Sequence, residues 1–162
     1  MVMTYSLAAT WAAIGIALAA GQRISRKDFA FSLLFFMIVN THVYNFMIDL
    51  FRWMSVSGRT DRFAAFLLYR SIIVPAVLSA SMALSGGRLR KWGYLAAGVL
   101  VLAATDGVHS ALRIIVPEQW NPFYAAVYYA LLAGTGVAAL SGFRRLGKER
   151  AESDEMGGRT RV

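Results

Sequence analysis

Five apolar runs, each long enough to cross a bilayer, leave this chain little choice of fold. The hydrocarbon core of a membrane is about 30 Å thick and takes about 20 mostly apolar residues as a helix. Residues 2–21, 29–51, 63–85, 92–116 and 123–143 meet that length, and the first run carries no charge. Inside hydrocarbon each backbone N–H and C=O must find its partner within the protein, so every run is expected as a helix. The gaps at 22–28, 52–62, 86–91 and 117–122 are short, which sets consecutive helices antiparallel. The expected fold is all-α: an integral membrane, up-and-down bundle of five transmembrane helices over residues 1–143. A basic, mixed-charge, flexible tail follows at 144–162.

Composition agrees. Charged residues are 16% of the chain, against about a quarter in soluble domains. The absence of cysteine excludes a disulfide framework, thiolate metal sites and iron–sulfur clusters. A net charge of +8 would suit nucleic acid, but the positive residues fall in the gaps between runs and form no basic patch along one helix. No nucleic-acid partner is expected. Their placement follows the rule that cytoplasmic loops are rich in Lys and Arg. With the first gap inside, Arg23, Arg26, Lys27, Arg88, Arg90, Lys91 and six residues of the tail are cytoplasmic. Arg52, Arg59, Arg62 and Arg113 are then outside. The N-terminus is expected outside and the C-terminus inside, in a bacterial cytoplasmic membrane. Ala17-Leu18-Ala19 resembles a signal-cleavage site, but no basic residue precedes the first run, so a retained helix is expected.

Lipid tails are as apolar as leucine, so helices in a bilayer associate through small residues that let backbones approach. Ala9, Ala13, Ala17 and Gly21 form one such stripe. Ala126, Ala130, Gly134, Ala138 and Gly142 form another, and Ala103, Gly107 and Ala111 a shorter third. The first two are candidate seams within the bundle, to a second copy or to a membrane partner. Pro75, in the middle of the third run, frees a carbonyl and is expected to kink that helix. Trp53, Trp92 and Trp120 lie at run ends as interface anchors, while Trp11 is expected to pack inside the bundle.

Ionisable residues within a span cost at least about 2.5 kcal/mol each and mark candidate sites. His42, Asn45, Asp49 and Arg52 recur at spacings of three and four, within a stripe about 80° wide. Asp106, His109 and Arg113 form a second stripe about 60° wide. Asn40 points away from the first. At 1.5 Å per residue, His42 and Asp106 both stand roughly 20 Å above the inner end of their runs. Arg70 and Tyr128 descend to the same layer, with Asn45, Asp49, His109, Arg113 and Tyr124 above it and Tyr129 on the wall. One outward-facing polar pocket is therefore expected.

The favoured function is non-enzymatic binding of a small polar or anionic ligand, or of a lipid headgroup, by a sensor, accessory or transport-related protein. Arg70 and Arg113 would hold the anionic group, since a guanidinium fork suits carboxylate and phosphate. No resident cofactor is expected on this reading. One alternative is a divalent-metal site from His42, Asp49, Asp106 and His109. Another is a b-type haem held by His42 and His109 in a membrane enzyme or redox protein. No His-Glu-x-x-His, Gly-x-Ser-x-Gly or phosphate-binding glycine loop is present. A third alternative is an interaction scaffold whose polar network is purely structural, with Asp49 paired to Arg52 or Arg113 and Asp106 paired to Arg70.

Overall fold

The structure, a computed structural model, describes residues 1–85 and 92–159, with side chains through Glu149. The expected inner-side charges Arg88, Arg90, Lys91 and Arg161, and the side chains of Arg150 and Arg159, lie outside the described residues. Five helices are long and apolar enough to cross a membrane. The first is α1 (Val2–Gly21). The second is α2 (Arg26–Asn45), continued by a π-helical turn at Phe46–Leu50. The third joins α3 (Thr60–Leu68) to α4 (Val74–Ser85) through a second π turn at Tyr69–Ile73. The fourth is α5 (Trp92–Ala111), and the fifth is α6 (Pro122–Arg159).

Local chemistry sets the boundaries. Ser25 caps α2 by accepting from the Asp28 N–H at 3.1 Å. Asn121 caps α6 by accepting from the Tyr124 N–H at 3.0 Å, with Pro122 at the first helical position, where a missing N–H costs nothing. Buried Ser6, Thr10, Ser32 and Ser81 donate to carbonyls four residues back, so their hydroxyls need no partner on another helix. The second π turn ends just before Pro75, whose ring cannot share a regular turn with the Ser71 carbonyl. The wider turn, with the Val74 N–H reaching the Tyr69 carbonyl, is how this helix absorbs the proline.

The fourth run differs from expectation. The helix stops at Ala111 instead of continuing to Val116, and Ile115–Pro117 is a strand, β2. It pairs antiparallel with β1 (Met54–Val56), Ser55 opposite Val116. The fold is helical as expected, with the unexpected addition of a two-stranded ribbon joining the second and fourth gaps. The Trp53 carbonyl ties the same gaps by accepting from the Glu118, Gln119 and Trp120 N–H groups at 3.1, 3.0 and 3.2 Å. At the other end, α6 continues unbroken through residue 144, so that boundary is a change of composition and not a helix end. Arg144 there pairs with Asp28 of α2 at 2.9 Å, and Phe143 stacks on Phe31 with centroids 4.4 Å apart.

The third helix is the most enclosed. Its α4 part packs against α1, α2 and α5, and α6 closes the bundle against α5 and α2. Of the small-residue stripes, Ala13 and Ala17 are buried within the chain, as a seam should be. Ala130, Gly134, Ala138 and Gly142 are exposed instead, because α6 turns Ala125, Tyr129, Leu132, Ala133 and Gly136 inward. At Gly136 the ring of Phe36 occupies the space a β-carbon would need. Trp11, expected inside, is 72% exposed.

Candidate functional site

The expected single pocket is two centres, one enclosed and one open. The enclosed centre gathers around Asp106, on the buried face of α5 with Leu95, Gly98, Leu102 and His109. Its Oδ2 accepts from the Trp120 indole N–H at 2.6 Å. Its Oδ1 lies 3.5 Å from the hydroxyls of Tyr44 and Tyr129. Tyr129 is the hub: its hydroxyl lies 2.7 Å from those of Tyr44 and Tyr69, and Tyr69 also donates to the Leu102 carbonyl at 3.2 Å. These three phenols come from the second, third and fifth helices and are fully buried. The His109 ring stacks on Tyr69 at 4.2 Å. Its Nδ1 lies 2.7 Å from the Thr105 carbonyl, which can only accept, so Nδ1 carries the proton. Its Nε2 is buried without a partner among the described residues.

A short polar link leads outward. Tyr128 donates to Asn40 Oδ1 at 2.7 Å, and Asn40 Nδ2 donates to the Arg70 carbonyl at 2.5 Å. The Arg70 side chain leaves the core. Its Nη1 donates to Asn45 Oδ1 at 2.6 Å, and its guanidinium lies 5.3 Å from the centre of the Phe66 ring. The other side of this environment is Tyr44, edge-on to Phe66 at 5.7 Å. Phe66 thus touches both Arg70 and Tyr44.

Arg70 opens onto the second centre, a cleft of about 640 Å³ between the end of the second helix, β1 and the start of α3. Its polar lining includes Asn45, Asp49, Arg52, Arg70 and Glu118, against apolar Ile48, Phe63 and Phe66. Among the described residues none of its charged groups forms an ion pair, and the Arg70 Nε is buried without a partner. A smaller apolar groove of about 360 Å³ shares Asn45 and Asp49 with it and is also lined by His42, Phe46 and Leu50.

The sequence-predicted residues divide accordingly. Asn45, Asp49 and Arg70 share the cleft, while Asp106, His109 and Tyr128 belong to the enclosed centre or its link. His42 is exposed on the outer face of α2 and does not meet Asp106. Arg113 and Tyr124 are exposed at the same end, Arg113 in a left-handed turn and Tyr124 with its ring 6.0 Å from Trp53. The stripe held Asn45, Asp49 and Arg52 to the cleft but not His42 to Asp106, because Ser32, Phe36, Asn40 and Tyr44 form the buried face of α2. Polar residues near a span's end reach the surface and need not turn inward. Asn40, set aside as pointing away, is fully buried, and Trp120, expected as an interface anchor, serves Asp106.

The alternative assemblies are not formed. Among the described residues no three His, Asp or Glu side chains cluster as metal ligands, so His42, Asp49, Asp106 and His109 do not make a site. Of the two histidines named for a haem, His42 is exposed on α2 and His109 is fully buried on α5. Asp106 is held by neutral donors and not by Arg70, and Asp49 pairs with neither Arg52 nor Arg113. Compared with protein-family models, characterised proteins and solved structures, the chain matches none.

Proposed function

We propose that this is a polytopic membrane protein, N-terminus outside and C-terminus cytoplasmic, that binds a small polar or anionic ligand or a lipid headgroup in the cleft at its outer end. A bacterial cytoplasmic membrane is the proposed location, and a sensory, accessory or transport-related role suits a five-helix chain of this size. The observation that carries this reading is Arg70. It is a guanidinium held by Asn45, lacking a carboxylate partner among the described residues and facing an open cleft. Such a group retains most of its capacity to bind an anion, and a chain that places it within a span accepts a cost a purely structural residue would avoid. The enclosed Asp106 centre supports a different role. Its donors and acceptors are largely matched, as in a network that fixes helix register.

Isothermal titration of the protein in nanodiscs with inorganic phosphate, glycerol 3-phosphate and short carboxylates tests the small-ligand form. Native mass spectrometry of retained lipid tests the headgroup form. Binding in either assay that falls at least tenfold, about 1.4 kcal/mol, in Arg70→Gln is expected. Binding that is unchanged in that variant would sink the assignment.

A further inference from the structure

We infer that the occupant of the cleft is a zwitterionic phospholipid with a primary-amine headgroup, its phosphodiester on Arg70, its ammonium on Asp49 and one acyl chain along the Phe46–Leu50 face. This deepens the ligand-binding reading above and rests on it. Three observations combine.

The first is charge. The cleft carries two cationic side chains, Arg52 and Arg70, and two carboxylates, Asp49 and Glu118, with no ion pair among them in the described residues. A simple anion would meet repulsion from the carboxylates. A ligand bearing both signs matches the lining, and an ammonium with three N–H donors satisfies a carboxylate in a way that a methylated one cannot.

The second is continuity. Asn45 and Asp49 line both the polar cleft and the apolar groove beside it, so one molecule can occupy both only if it is polar at one end and apolar along its length. The third is placement. Phe46 and Leu50 are 54% and 66% exposed on a helix long and apolar enough to span a membrane, so their natural neighbour is an acyl chain. The helix takes a π turn at Phe46–Leu50, and such turns recur at functional sites.

The test is lipid exchange into detergent-purified full-length protein, read by native mass spectrometry. Three lipids of identical chains carry ethanolamine, choline or glycerol headgroups, and soluble glycerophosphoethanolamine is titrated separately. The ethanolamine lipid should be retained about tenfold over the other two, a difference of about 1.4 kcal/mol. Asp49→Asn should erase that preference while lipid is still held, and Arg70→Gln should release all three. Thermal unfolding of each variant distinguishes lost binding from lost fold, and Arg70→Lys, which keeps the charge, should recover part of the retention.

Equal retention of the three headgroups would overturn the amine assignment and leave the cleft reading standing. Soluble headgroup binding as tightly as the lipid would overturn the groove. Failure of every arm, together with no response to inorganic phosphate, would remove the cleft reading as well.

Discussion

At the scale of single residues, Asp106 is served by an indole from the linker before α6 and by phenols from α2 and α6. Asp106→Leu orphans the buried Trp120 N–H and should lower stability by about 1–3 kcal/mol. Asp106→Asn keeps an acceptor and should cost less. Tyr129→Phe breaks three hydroxyl contacts, the one to Asp106 long, and interhelical bonds in membranes average about 0.6 kcal/mol each, so its effect should fall between the two. Equilibrium unfolding in mixed micelles ranks the three. Asp106 was legible from sequence because a mid-span carboxyl has few tolerable directions. Tyr44 and Tyr69 were not, since a phenol is apolar enough for any face, and only their hydroxyl partners reveal their place. His42 misled for the opposite reason: close to a helix end, a polar ring can stay outside.

At the scale of elements, the ribbon and the two π turns depart most from a plain bundle. Arg52 and Arg113 both adopt φ of 53°, each ending a helix just before a strand. Around Arg113 the turn closes with its N–H on the Ser110 carbonyl and the Ile114 N–H on the His109 carbonyl, both at 2.9 Å. A non-glycine residue in this region costs roughly 1–2 kcal/mol. Arg113→Gly should therefore raise the unfolding temperature, whereas Arg113→Val should lower it and loosen the ribbon. Differential scanning fluorimetry of both variants checks the sign. The helix bodies were readable from apolar length alone. The strand was not, because Ile114, Ile115 and Val116 carry the mostly apolar run of α5 on beyond Arg113. The available signal was three β-branched residues before Pro117, a composition that favours extended backbone. The π turns left no mark in the periodicity beyond Pro75.

At the scale of the whole molecule, the ends differ. One holds the ribbon, the cleft and the Asp106 centre, and the other holds the contact of Arg144 with Asp28. The proposed orientation puts the first outside. Reporter fusions active only in the cytoplasm should work when attached after residue 162 and fail when inserted at Gly58, which is exposed with free space around it. The reverse pattern would invert the topology and place the cleft on the inner leaflet. Five helices long and apolar enough to cross a membrane were countable from sequence, but the order in which they touch was not. From the second helix onward consecutive helices do pack together, but the first lies against the third and the fifth also against the second.

That central third helix has a consequence for how the chain is made. α1 and α2 both bury their inner faces against α4, a segment synthesised after them. The first hairpin alone therefore lacks the surface its two helices share in the folded chain, and on the proposed membrane placement a chain cut before Pro75 should yield two inserted helices without a bundle.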